Sequence, residues 1–170
     1  MTDEKPTPDP KLDKLVQLAV EHAERILIGH EGAQIMPSFV LESAGGDMAI
    51  IATPWANERD KEMTVRALRA TMRKGGVVRY SFISEAWMAT AKPGQEKLAR
   101  LPDGEMPSQR PDRIEVVIIS ASDAKQIRSA MLRIVRGEGG TVVRLDRDLA
   151  ETKQISGRFA DLLNPDPEQS

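Results

Sequence analysis

Cysteine is absent from this chain of 170 residues, and aromatic side chains make up only 4% of it. Without cysteine there is no disulfide, no thiolate zinc ligand and no thiol nucleophile. The shortage of aromatic rings disfavours a surface on which the bases of single-stranded nucleic acid could stack. The missing cysteine indicates a reducing compartment, and we expect a cytoplasmic protein.

Long apolar runs and a strong net charge are also missing. No stretch approaches the roughly 18 apolar residues of a membrane span, and the opening MTDEKPTPDP lacks the basic start and apolar run of a secretory signal. The net charge of -2 supplies no overall attraction to phosphate or to anionic lipid. We therefore expect no membrane association, and we consider nucleic acid a less favoured partner than another protein.

The composition that is present is that of an ordinary globular protein, with 40% hydrophobic and 29% charged residues. A chain of this length buries enough apolar surface to form one domain without disulfides or metal. We expect a single domain over residues 10–163, with flexible tails at residues 1–9 and 164–170.

Two helices are predicted from their caps and from their apolar spacing. Asp9 is well placed to cap a helix that begins at Pro10 and stops at Gly29. Asn57 is placed to cap a second helix, ERDKEMTVRALRATMRK, which ends at the glycine pair 75–76. The apolar residues of the first helix recur every three or four positions and are Leu12, Leu15, Val16, Ala19, Ala23, Ile26 and Leu27.

The remaining apolar segments predict strands. IMPSFVLES and MAIIATPW, joined by AGGD, indicate a β-hairpin, and four further strands follow at RYSFISEAWMAT, RIEVVIISAS, QIRSAMLRIVR and TVVRLDR. A loop is expected over residues 92–111 and a short helix around FADLL near the end. The order predicts an α+β fold, a mainly antiparallel sheet covered by two helices, and it argues against a doubly wound nucleotide fold.

A carboxylate, Glu85, stands in the middle of the strand RYSFISEAWMAT. Because strand residues alternate between faces, Glu85 and Trp87 share one face, as Arg113 and Glu115 do on the next predicted strand. The simpler interpretation is a cross-strand ion pair between Glu85 and Arg113. The alternative is a ligand- or cation-binding site formed by all four residues, in which two close carboxylates raise one pKa and serve a hydrolase.

Arg66, Arg69 and Arg73 are spaced along one side of the second helix and are the feature that best fits nucleic-acid binding. His22 and His30 are the only histidines, and their spacing without cysteine predicts no metal site. The glycine pairs lack the neighbouring residues of a P-loop or a dinucleotide fingerprint, so no cofactor is predicted.

Four segments together resemble a family of small uncharacterised bacterial and phage-encoded proteins. They are MPSFVLES, IIATPW, VVRYSFISEAWM and RPDRIEVVIISASD, which span roughly residues 35–125, with a weaker similarity at GRFADLL. The resemblance implies a recurring soluble domain and assigns no activity, so it supplies no catalytic residue.

The sequence favours a non-enzymatic binding or accessory protein, of the kind that phages also encode. Two alternatives stay open: a carboxylate-based or metal-dependent hydrolase that uses Glu85 and Glu115, and a nucleic-acid binder that uses the arginines of the second helix. An exposed apolar patch would instead favour a protein partner or a homodimer.

Overall fold

The computed structural model describes residues 9–89, 113–147 and 162–164. The elements in chain order are α1 (Pro10–Leu27), β1 (Ser38–Ser43), β2 (Met48–Ala52), α2 (Glu58–Lys74), β3 (Val77–Ala89), β4 (Arg113–Asp123), β5 (Ile127–Arg136) and β6 (Val142–Asp146). A short 3-10 turn at Glu138–Gly140 precedes β6. The predicted α+β class is confirmed. The loop at 92–111, most of the FADLL helix and nearly all of both tails lie outside the described residues.

Local capping explains why both helices begin where the sequence predicts. The Asp9 carboxylate accepts the Lys11 N–H at 2.9 Å, and the Asn57 side chain accepts the Asp60 N–H at 2.9 Å. Gly29 and Gly76 lie just beyond the two helix ends with φ of 78° and 59°, a left-handed conformation that glycine adopts without strain.

Neither described helix is long and apolar enough to cross a bilayer.

The described strands form one sheet in the order β2-β1-β3-β4-β5-β6, and every neighbouring pair is antiparallel. Both β2 and β3 pair with β1, which lies between them, so β2 and β3 run parallel to each other and α2 connects them.

Each face of the sheet carries one helix and one apolar core. On the first face α1 packs against β3, β4, β5 and β6. On the second face α2 packs on β1 and β3, where Tyr80 and Phe39 are fully buried beside Leu68 and Met72. Leu162 of the C-terminal segment completes this second core, and its N–H donates to the Tyr80 hydroxyl at 3.2 Å.

The position of α1 is the feature of the fold that matters most for the site. Its buried side chains contact the four strands from β3 to β6, and the β1–β2 hairpin extends beyond the side of the helix. A trough therefore remains between α1 and the hairpin on the first face of the sheet.

Candidate functional site

The four residues predicted as a site lie on the first face of the sheet, near the ends of β3 and β4. The register places Trp87 opposite Glu115, Val117 opposite Glu85 and Ala89 opposite Arg113. Arg113 therefore lies four residues along β4 from the partner of Glu85, about 13 Å at roughly 3.3 Å per residue. The expected ion pair between Glu85 and Arg113 is wrong.

Arg113 instead stacks on Trp87. Its guanidinium carbon lies 4.9 Å from the centroid of the indole ring, within the range of a cation-π contact. Trp87 remains 43% exposed. The pair is accessible at one end of the sheet, and its use as a ligand site stays a prediction.

Glu85 holds the segment that follows α1 against the sheet. One carboxylate oxygen accepts the N–H of Ile35 at 2.6 Å, and the Ile35 side chain is buried in the first core. Burial raises the pKa of Glu85 above its ordinary value, and the Glu115 charge adds to this, while the Ile35 hydrogen bond and Arg136 oppose it. A structural hydrogen bond thus explains why a carboxylate stands in the middle of β3.

Glu115 is held by Arg136 in a two-pronged ion pair. The Nε and Nη2 of Arg136 donate to the two carboxylate oxygens at 2.8 and 2.6 Å, and its Nη1 donates to the Gly140 carbonyl at 2.8 Å. Hydrogen bonding to Glu115 raises the pKa of Arg136. The structure therefore brings Glu85 and Glu115 near each other, but it engages both of them in internal bonds.

Metal binding at this cluster is not supported by its donors. Within residues 9–89, 113–147 and 162–164, no three His, Asp or Glu side chains come close enough to hold a metal ion. Both carboxylates of this pair are already engaged, Glu85 by the Ile35 N–H and Glu115 by Arg136.

The arginines predicted as a phosphate-binding stripe have different roles on α2. The Nη1 of Arg69 donates to the Asn164 carbonyl at 2.5 Å, and Arg69 lines a cavity of about 170 Å³ with Met72 and Leu162. Arg66 is exposed and lies 3.9 Å from Glu62. The stripe therefore offers two exposed guanidinium groups, because the central one anchors the C-terminal segment.

A larger cavity lies in the trough between α1 and the hairpin, where the sequence predicted no site. This α1–hairpin cavity has a volume of about 300 Å³. Its apolar walls are Leu15, Leu18, Ala19, Val40, Met48, Ile50 and Ile83, and its polar lining residues are Ser38, Ser81, Glu21, His22 and Arg25. It is thus an apolar cavity with a few polar groups, which is the usual character of a small-molecule site.

Much of the apolar wall is open to solvent. Ile50 is 72% exposed, Met48 47% and Leu18 41%. Strand β2, which supplies two of these residues, is an edge strand with the uncharged sequence MAIIA. Isolated exposed apolar residues are common, but a group of three around one concavity is typical of a surface that contacts a ligand or partner.

Ser81 is a polar residue at the base of this cavity. It is only 2% exposed, and its hydroxyl forms no hydrogen bond with any residue that the structure describes. This hydroxyl is not among the described buried side-chain atoms that lack a hydrogen-bond partner, so it is open to the cavity. A bound molecule with an oxygen or nitrogen atom in the cavity would satisfy this group.

Charged groups stand at the mouth of the cavity, on the last two turns of α1. Arg25 and His22 are exposed, and in the described part of the chain neither one forms an ion pair or a side-chain hydrogen bond. Glu21 accepts a hydrogen bond from the Gln17 amide at 3.3 Å. The mouth thus carries one carboxylate and one guanidinium, one helical turn apart, whose charges offset each other.

Sequence reasoning missed this cavity for an identifiable reason. Leu18 lies off the predicted apolar stripe of α1, and the uncharged β2 has the same sequence character as a buried strand.

Comparisons with models of protein families, with curated proteins and with solved structures gave no match to the chain. The cavity is therefore interpreted from its own geometry.

Proposed function

We propose that this protein is a non-enzymatic binding protein and that it takes a small, largely apolar molecule into the α1–hairpin cavity. The observation that carries the proposal is the cavity itself, with three solvent-exposed apolar residues around it and the Ser81 hydroxyl, which has no partner among the described residues, in its lining. Its volume of about 300 Å³ lies at the lower end of the range for ligand sites.

Apolar burial supplies the driving force for binding. Each Å² of apolar surface removed from water contributes about 25 cal/mol. Ile50, Met48 and Leu18 all present such surface around one concavity. A ligand that covers them gains this energy, and the backbone of the sheet and helix already holds the walls in place.

Binding is favoured over catalysis by what the carboxylates do. Glu85 and Glu115 are engaged by Ile35 and Arg136, and neither of them lines the cavity, although Glu85 lies two residues along β3 from the cavity-lining Ile83. Among the residues that line the cavity, Glu21 is the carboxylate, and it lies at the exposed mouth. General acid or base chemistry needs a carboxyl group aimed at bound substrate, which this arrangement does not offer.

The test is a titration with Nile red, a neutral dye whose fluorescence rises in apolar surroundings. The variant Leu18→Gln/Ile50→Thr removes two apolar groups from the cavity. The matched control Met63→Gln/Val143→Thr removes one exposed apolar residue from the other helix and one from the opposite edge strand. We expect the first variant to bind the dye at least about tenfold more weakly, because a tenfold loss corresponds to about 56 Å² of apolar contact at roughly 25 cal/mol per Å².

The control variant should keep the dye affinity of the unmodified protein, and thermal unfolding of both variants checks that each one folds. No dye binding by the unmodified protein would contradict the proposal. So would an equal loss in the two variants, because that result would place the dye on the general surface.

A further inference from the structure

Strand β2 lies at one edge of the sheet, and half of its backbone groups point away from the rest of the protein. In the register that joins β1 to β2, the Thr53 N–H donates to the Pro37 carbonyl at 2.8 Å and the Ser43 N–H donates to the Asp47 carbonyl at 2.9 Å. Because hydrogen-bonded positions alternate along an antiparallel pair, the odd-numbered residues of β2 face β1 and the even-numbered ones face outward. The residues whose N–H and C=O groups point outward, without a bond to any described residue, are Met48, Ile50 and Ala52.

This edge lacks the features by which proteins usually prevent edge strands from pairing, which are charged side chains, proline, a bulge or a covering segment. The five residues MAIIA contain no charge and no proline, and their register with β1 is regular. The opposite edge strand, β6, carries the ion pair of Arg144 with Asp146 at 2.8 Å, and its start is bridged to Ile28. Among the described strands, β2 is therefore the edge that is open to a further strand.

The strand is complementary to a second copy of itself. In an antiparallel pair centred on Ile50, each Ile50 lies opposite the other, and Met48 lies opposite Ala52, so that a large side chain faces a small one. All of these positions face outward, so each opposed pair exchanges two backbone hydrogen bonds. The charged Asp47 then lies opposite Thr53 of the second copy, about 20 Å along the strand from the second Asp47 at roughly 3.3 Å per residue. No like charges meet within the pair.

We propose that this protein forms a two-fold symmetric homodimer, in which the β2 strands of two copies pair antiparallel around Ile50 and join two six-stranded sheets into one. The inference goes beyond the proposed function and does not depend on it. The hydrogen bonds lie in the plane of the sheet, so the face that carries the α1–hairpin cavity stays uncovered. The two Ile50 side chains, each 72% exposed in the single chain, become neighbours on that face, which removes apolar surface from water.

The first measurement is sedimentation velocity of the full chain between about 1 and about 200 μM, because small interfaces commonly have micromolar dissociation constants. We expect a monomer at the lower end and a species of twice the mass at the upper end. Amide hydrogen exchange, followed by NMR where the dimer predominates, then locates the interface. The N–H groups of Met48, Ile50 and Ala52 should exchange at least about tenfold more slowly than in the dilute protein. Those of Ala49 and Ile51, which bond to β1, should be protected at both concentrations.

Two lysine variants test the interface by substitution. Ile50→Lys places two like charges opposite each other at the centre of the pair and should weaken dimerisation at least about tenfold. Val143→Lys is the matched control, because Val143 is an exposed apolar residue of the other edge strand, and it should dimerise as the unmodified protein does.

A third variant tests the backbone hydrogen bonds without changing the cavity. Ala52→Pro removes an outward N–H that forms no bond to β1, and Ala52 does not line the cavity. It should also weaken dimerisation at least about tenfold, because two symmetric hydrogen bonds are lost. Thermal unfolding of the three variants checks that each one folds.

A chain that stays monomeric over the whole concentration range would overturn the proposal. So would a dimer that Ile50→Lys forms as readily as Val143→Lys, or one in which the outward N–H groups of β2 gain no protection, because its interface would then lie elsewhere.

Discussion

At the scale of single residues, two equally buried serines differ in whether the side-chain hydroxyl has a hydrogen-bond partner among the described residues. Ser81 and Ser122 are each 2% exposed, on β3 and β4. The Ser122 hydroxyl donates to the Asp123 carbonyl at 2.9 Å, whereas the Ser81 hydroxyl lines the α1–hairpin cavity without a partner in the described residues. A buried hydrogen bond stabilises a fold by about 1 kcal/mol, whereas a hydroxyl that is open to a cavity contributes little to stability.

We therefore expect unequal effects from removing the two hydroxyls. Ser81→Ala should change the free energy of unfolding by less than about 0.5 kcal/mol, whereas Ser122→Ala should lower it by about 1 kcal/mol. Denaturant-induced unfolding of the ligand-free protein measures both changes. A clear loss of stability in Ser81→Ala would show that this hydroxyl has a structural partner and would weaken its role in ligand binding.

At the scale of secondary-structure elements, α2 contacts both the sheet and the C-terminal segment. Arg69 donates to the Asn164 carbonyl, and Leu162 is buried against Tyr80. Arg66, one turn earlier on the same helix, is exposed and makes only a long contact with Glu62.

This difference predicts unequal effects of matched substitutions on α2. Arg69→Gln should lower the free energy of unfolding by about 1 to 3 kcal/mol, because the Asn164 carbonyl loses a charged donor. Arg66→Gln should change it by less than about 0.5 kcal/mol. If Arg69→Gln and Arg66→Gln changed the free energy of unfolding in urea equally, the contact of Arg69 with the C-terminal segment would be energetically unimportant.

If the Arg66→Gln variant lost nucleic acid that co-purifies with the unmodified protein, that result would instead favour a phosphate-binding surface on α2.

The elements also show which features a sequence can predict. Asp9, Asn57 and the glycines after each helix act through neighbouring residues, so the helix ends could be read locally. The strand register could not be predicted in this way, because the pairing of Glu85 with Val117 joins two strands that are separated by residues 90–112 of the chain. The cavity depends on the sideways position of α1 on the sheet, which packing among distant residues decides.

At the scale of the whole molecule, one sheet is shared by two cores. Residues of β3 contribute alternately to both, with Ile83 in the first and Tyr80 in the second. Because neither core has a sheet of its own, loss of one removes support from the other. We expect the described fold to unfold as one cooperative unit, so that a change in a single titrating group is visible in its global stability.

Glu85 provides such a group, and the direction of its effect follows from its pKa. Burial raises this pKa above the ordinary value of 4.5, so the folded protein holds the proton more tightly than the unfolded chain does. Glu85 therefore makes a contribution to stability that falls as the pH rises from about 4.5 through the folded-state pKa.

Glu85→Gln keeps an acceptor for the Ile35 N–H but does not titrate. The free energy of unfolding of the unmodified protein, minus that of the variant, should decrease between about pH 4 and pH 7. Urea unfolding of the two proteins across this range measures the difference, in which the titration of the other carboxylates largely cancels. A difference that increases with pH would mean that the Ile35 hydrogen bond and Arg136 outweigh burial and lower the pKa of Glu85.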